Sequence, residues 1–170
     1  KQKIIIDTDP GQDDAVAILL ALASPELDVL GITCVAGNVG LDLTTLNACK
    51  ICELAEKPET QVFAGASKPL SRSLVTAEHV HGKTGLDGVD LPVPKMEISG
   101  TPAVDFIIDS LMGSEPKEIT LCALGPLTNL ALAITQEPKI ISKISQIVLM
   151  GGGFFEGGNI TPSAEFNIFV

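Results

Sequence analysis

Lys3-Ile4-Ile5-Ile6-Asp7-Thr8-Asp9-Pro10-Gly11-Gln12-Asp13-Asp14-Ala15-Val16-Ala17 is the stretch on which the architecture turns. Lys3 to Asp7 is a β-branched apolar run and reads as a strand buried on both faces. Pro10-Gly11 makes a tight turn. Asp13 to Ala23 then reads as a helix, ended by Ser24-Pro25. A buried strand turning directly into a helix is the opening unit of a wound sheet.

The alternation continues along the chain. Asp28 to Ala36 reads as a strand, Leu41 to Ala55 as a helix and Gln61 to Ala64 as a short strand. Ser67 to Gly100 is rich in Gly, Pro and polar residues and shows no clear period. Thr101 to Met112 is a helix, Glu118 to Leu124 a strand, and Pro126 to Gln136 a helix with Pro at its start. A helical turn over Pro138 to Ser142 leads to a last strand, Ser145 to Met150. This pattern predicts an α/β fold, a doubly wound, mostly parallel, Rossmann-like sheet with helices on both faces. Ile147-Val148-Leu149, like Ile4-Ile5-Ile6, reads as a strand covered on both sides. Ligands of such sheets sit outside the carboxyl ends of the strands, so polar residues there carry the most weight.

Composition narrows the function. A length of 170 residues gives a prior of one domain, large enough to fold without a disulfide or metal staple. Eleven Lys plus Arg against 21 Asp plus Glu leave a charge of −10, which repels phosphate backbones. The absence of Trp and Tyr removes the aromatic platforms on which bases stack. No apolar stretch approaches the roughly 18 residues that span a bilayer. No secretory leader is read at the start, so the cytoplasm is the expected location. Cys34 and Cys122 read as buried free thiols, and the Cys49-x-x-Cys52 pair falls inside a helical pattern with no second pair at zinc-binding spacing. The chain opens on Lys-Gln-Lys and closes on the apolar segment Ala164 to Val170. The expectation is a single α/β catalytic domain over 1–170 that lacks its C-terminal half.

The chemistry concentrates after the first strand. Asp7, Asp9, Asp13 and Asp14 put four carboxylates into eight residues. Asp7 and Asp9, two apart, are expected to point the same way, and Pro10-Gly11 folds the second pair onto the first. Helix capping accounts for one or two of these acids. A hard cation held by oxygen ligands, Ca²⁺ or Mg²⁺, accounts for the excess. The segment is not an EF-hand, because positions five, six and twelve of such a loop would be Gly11, Gln12 and Ile18.

Ile5-Ile6-Asp7-Thr8-Asp9-Pro10-Gly11-Gln12-Asp13-Asp14-Ala15-Val16-Ala17 resembles the N-terminal signature of the inosine–uridine-preferring nucleoside hydrolases. The resemblance runs in family order through Val35-Ala36-Gly37-Asn38, His81-Gly82-Lys83-Thr84-Gly85, Gly125-Pro126-Leu127-Thr128-Asn129 and Val148-Leu149-Met150-Gly151-Gly152. It ends with Thr161-Pro162-Ser163-Ala164-Glu165-Phe166-Asn167. It implies calcium-dependent hydrolysis of ribonucleosides to free base and ribose, in nucleoside salvage, by a dimer or tetramer. By resemblance, Asp9 is a calcium ligand and the general base on the attacking water. Asp14 and the Leu124 backbone carbonyl complete the calcium ligands present. Asp13 contacts the ribose hydroxyls, and Asn38 contacts ribose and water. Met150, Asn159, Glu165 and Asn167 line the ribose, and His81 lies near the nucleobase. The family's third calcium carboxylate and a leaving-base histidine fall outside these residues, so the segment alone is expected to be inactive.

Other motifs carry less. Ala77 to Thr84 approximates a phosphate-binding loop, but Gly85, Gly88, Pro92 and Pro94 follow it where a helix is required. The same residues read better as a mobile loop over the site. Gly151-Gly152-Gly153 lacks the dinucleotide fingerprint. Glu165 and Asn167 alternate with Phe166 and Ile168, a period of two that reads as a half-exposed strand. Two competing functions stand beside nucleoside hydrolysis. One is a haloacid dehalogenase-like Mg²⁺-dependent phosphohydrolase, from the Asp7-x-Asp9 strand end. The other is a non-catalytic calcium- and ribose-binding domain.

Overall fold

A computed structural model describes all residues, 1–170. Five strands form one parallel sheet: β1 (Gln2–Thr8), β2 (Leu27–Cys34), β3 (Val62–Ala64), β4 (Ile119–Ala123) and β5 (Ile144–Leu149), in the spatial order β3-β2-β1-β4-β5. The helices are α1 (Gln12–Ala23), α2 (Leu41–Leu54), α3 (Glu78–His81), α4 (Ala103–Gly113), α5 (Thr128–Gln136), α6 (Ile140–Lys143) and α7 (Phe166–Phe169).

Alternation along β1 explains the layering. Ile4 and Ile6 join a core with Ile18 of α1 and Ala48, Ile51 and Cys52 of α2. Ile5 points the other way, into a core with Ile107 and Leu111 of α4, Leu130 and Ala133 of α5, and Ile140 of α6. Helices therefore cover both faces, as a buried parallel sheet requires. Each fully buried isoleucine contributes roughly 1.5–3 kcal/mol, and β1, between β2 and β4, is the strand on which both cores converge.

Four readings are corrected. The apolar run in β5 is not covered: Ile147, Val148 and Leu149 are 40%, 51% and 47% exposed. β5 is an edge strand of this sheet, as β3 is at the other side, and burial depends on what packs against a strand rather than on its composition. Cys122 is half-buried rather than buried, on the strand beside it. The segment from Glu165 is a helical turn, α7, not a strand: both Glu165 carboxylate oxygens lie 3.0 Å from the Asn167 N–H and cap the turn. The region from Ser67 to Gly100, read as irregular, carries the one-turn helix α3.

The chain leaves β1 toward β2 and β3, then crosses back to β4 and β5 on the other side. That reversal makes the carboxyl ends of β1 and β4 the topological switch point, where open α/β sheets bind ligands.

Candidate active site

Every residue assigned to the site from the sequence lines one pocket of about 150 Å³ at that switch point. Asp9, Asp13 and Asp14 come from the β1–α1 turn, Asn38 from the β2–α2 turn and Leu124 from the end of β4. His81 closes α3, Met150 follows β5, and Asn159, Glu165 and Asn167 come from the segment after it. The same pocket takes in Ala77, His79 and Val80 from the loop read as lying over the site, and two residues the sequence did not single out for it, Ile160 and Phe166, beside Asn159 and Glu165.

The four acids separate into different roles. Asp7 does not line the pocket. Its Oδ1 accepts from Thr33 Oγ1 at 2.6 Å and Asn129 Nδ2 at 2.8 Å, while its Oδ2 has no partner. Burial pushes its carboxyl up to about 7 against those two hydrogen bonds, which pull it down. Asp14, on the first turn of α1, is fixed by Thr8 Oγ1 at 2.8 Å and the Gly11 N–H at 3.0 Å. Capping thus accounts for part of Asp14. Asp13, beside it, is exposed at the pocket.

Asp9 is confined on several sides. Asn38 clasps it twice: the Asn38 N–H donates to Asp9 Oδ2 at 2.7 Å, and Asn38 Nδ2 donates to the Asp9 carbonyl at 2.9 Å. Two glycines press on the same carboxylate. A β-carbon on Gly125 would stand 2.5 Å from Asp9 Oδ1, and one on Gly37 would collide with Oδ2. Burial, followed by the charge of Asp14, raises the Asp9 carboxyl well above the usual carboxylate range. Asp14 is raised mainly by burial as well.

No Lys or Arg relieves this crowding: the ion pairs of the molecule, Lys3–Glu118 and Lys57–Glu59, lie outside the pocket, and only His81 pulls the Asp14 carboxyl down by its charge, against burial. Buried carboxylates without a Lys or Arg beside them are the donor chemistry a hard cation favours. No group of three or more His, Cys, Asp or Glu side chains is arranged to hold a metal ion. Asp9, Asp14 and Glu165 are the buried carboxylates that line the pocket.

The far wall is built by hydrogen bonds among its own residues. Asn167 Nδ2 donates to the carbonyls of Leu124 at 2.7 Å and Met150 at 3.0 Å, tying the ends of β4 and β5 together. Glu165 Oε2 accepts from the Gly152 N–H at 3.0 Å, and Asn159 Oδ1 accepts from the Phe166 N–H at 2.9 Å. On the near side, α3 carries His81, whose Nδ1 lies 2.6 Å from Gln12 Oε1. The cysteines lie apart from this pocket. Burial pushes the Cys49 thiol up to about 11 and Cys52 to about 12, and all four are free.

Residues 4–170 match the family model for the inosine-uridine preferring nucleoside hydrolases. The chain belongs to this family. An uncharacterized protein of Schizosaccharomyces pombe is 56% identical over 99% of the chain and 54% of its own length. The pyrimidine-specific ribonucleoside hydrolase RihB of Escherichia coli is 48% identical over 100% of the chain and 53% of its own. Among solved structures, a plant nucleoside hydrolase, the PpNRh1 enzyme, superposes with a TM-score of 0.92 at 42% identity, over 98% of the chain and 52% of its own. A purine-preferring ribonucleoside hydrolase from Gardnerella vaginalis also gives 0.92, at 37% identity, over 97% and 53%. The chain spans about half the length of these relatives. No helix is long and apolar enough to cross a membrane.

Proposed function

We propose that the protein hydrolyses the N-glycosidic bond of ribonucleosides, with Asp9 as general base and Ca²⁺ held by Asp9, Asp14 and the Leu124 carbonyl. The observation that carries this reading is the pairing of the buried Asp9 and Asp14 carboxylates, with no Lys or Arg beside them, in the pocket that also holds Asp13, Asn38 and His81. When bound, such a cation acidifies water and chelates vicinal hydroxyls.

The chain's own residues supply the rest. Asp9 accepts the proton of the attacking water. Its burial and the neighbouring Asp14 favour that transfer, and the Asn38 N–H keeps Oδ2 in place. Asp13, free at the pocket wall, hydrogen-bonds the ribose hydroxyls. Asn38, Met150, Asn159, Glu165 and Asn167 enclose the sugar, and His81 meets the nucleobase. The carboxylates of Asp13 and Glu165 favour the positive charge that develops on the ribose as the bond to the base breaks.

The names of the relatives bear on substrate range. A pyrimidine-specific and a purine-preferring hydrolase share this half of the chain at comparable identity. We therefore assign the site residues other than His81 to the ribose and the cation, which all ribonucleoside substrates have in common, rather than to the choice of base.

The test is incubation of the full-length protein with inosine, adenosine, uridine and cytidine, with and without a chelator, and chromatography of the products. Free base and ribose are expected, lost on chelation and restored by Ca²⁺. Release of phosphate from phosphate esters, without base release from any nucleoside, would replace this reading with a phosphohydrolase. Ribose binding without turnover would leave a binding domain.

A further inference from the structure

Gln12 stands in the middle of the acidic signature, yet its side chain faces away from the acids and toward α3. Its Oε1 lies 2.6 Å from His81 Nδ1, and its amide nitrogen donates to the backbone carbonyls of His81 and Asp87, each at 3.4 Å. Those two carbonyls settle which way the amide points. Carbonyl oxygens only accept, so the NH₂ end must face them and Oε1 must face the ring. An amide oxygen is itself an acceptor. The short contact to Nδ1 therefore requires a proton on that nitrogen.

The ring is held from a second side. Gly11 packs directly under it: a β-carbon there would stand 2.6 Å from His81 Nδ1 and 2.8 Å from Cε1. The segment that carries His81 is anchored independently. Asn47 Nδ2 bridges the Thr84 carbonyl at 2.8 Å and the Pro10 carbonyl at 3.3 Å, and Asp87 accepts from the Lys83 and Thr84 N–H groups at 3.1 Å each. His81 is thus fixed in place by Gln12, Gly11 and a fastened loop at the pocket its ring lines.

We infer that Gln12 is a positioning residue that sets the tautomer of His81, so that the neutral ring carries its proton on Nδ1 and offers Nε2 as an acceptor to a hydrogen-bond donor of the nucleobase. This rests on the proposed nucleoside site for the identity of the ligand, though not for the tautomer. In water the neutral imidazole favours the opposite form, with the proton on Nε2; which nitrogen is protonated in a protein follows from the bond the other makes. The neutral ring then acts toward the substrate only as an acceptor, and it matches a ring N–H or an exocyclic amino group rather than a carbonyl.

The experiment is ring ¹⁵N NMR of the full-length protein labelled at histidine, with the His81 signals assigned by their loss in H81Q and recorded at a pH where the ring is neutral. The Nδ1–H form is expected in the wild type. Q12A is expected to convert His81 to the Nε2–H form, whereas Q12E, which keeps an oxygen acceptor, retains Nδ1–H. His79, which has no such partner, serves as the control in every spectrum. If Q12A does not fold, Q12M keeps the side-chain length without the amide and gives the same comparison. An Nε2–H ring in the wild type overturns the inference, and so does an Nδ1–H ring that persists in Q12A or Q12M. The reading needs no turnover, so failure of nucleoside hydrolysis and failure of the tautomer assignment are separate results.

Discussion

Asn129 Nδ2 donates to Asp7 Oδ1 across 2.8 Å, joining the start of α5 to the end of β1 behind the acidic pocket. The same Asn129 nitrogen reaches the Cys34 carbonyl at the end of β2 at 3.0 Å, and its Oδ1 accepts from the Ala66 N–H beyond β3 at 2.8 Å. One wholly buried side chain thus links the carboxyl ends of three adjacent strands.

Asn129→Ala is expected to destabilise the protein by about 2 kcal/mol or more, because it leaves several buried polar groups without their partners at once. Chemical denaturation at neutral pH measures this. An unchanged midpoint would mean that the strand ends are held together by packing alone.

Gly37 and Gly125 leave no room beside Asp9. A methyl group at either position must push the carboxylate aside, and a displacement of about 1 Å in a reacting group lowers rates by about 100-fold. Gly125→Ala and Gly37→Ala in the full-length protein are each expected to lose activity on that scale, measured as kcat/KM on the preferred nucleoside. Wild-type rates in both variants would place the general base elsewhere.

Acidity of Asp7 sets a pH dependence of stability in the metal-free protein. Burial pushes its carboxyl up to about 7 in the folded protein from an ordinary 3.8, so the native state keeps a proton that the unfolded chain has released. Stability accordingly falls as pH rises from about 4 to about 7, the window between the two values. Asp9 and Asp14 are raised as well and act in the same direction. Asp7→Asn removes the Asp7 share while keeping an acceptor for Thr33 and Asn129. Denaturation midpoints across that window, with chelator present, are expected to slope less steeply in the variant.

Calcium is expected to raise the melting temperature of the full-length protein. Saturation at about 100 times the dissociation constant corresponds to roughly 2.7 kcal/mol. In Asp14→Ala the calcium-dependent part of the shift is expected to shrink or vanish, as read by calorimetry with and without the ion. An equal shift in the variant would assign the ion to other ligands.

Much of this arrangement is legible in the sequence. Ile4-Ile5-Ile6 and Pro10-Gly11 announced a central strand and a turn, and the acids after them marked the ligand end of the sheet. Residues whose importance lies in distant contacts were another matter. Asn129 stood inside Gly125-Pro126-Leu127-Thr128-Asn129, a block already noticed, but its partners are 122, 95 and 63 positions away along the chain. Nothing local in Gly37 or Gly125 reveals that each abuts Asp9. Asp7 and Asp9 were expected to act together; Asp7 instead turns to Thr33 and Asn129, because the regular strand ends at Thr8 and the two-residue period ends with it. Glu165-Phe166-Asn167-Ile168 alternates like a strand, yet a four-residue turn is too short to display a helical period, and the Glu165 cap decides its form.

The bare outer rim of β5 has a practical consequence. Ile144 to Met150 is an uncharged window without proline, and its backbone faces outward along a whole strand. Such a segment is a template for another chain to zip onto. Concentrated preparations of the 170 residues alone should accrete into ordered fibres through this strip, and a lysine in place of Val148 should slow their growth.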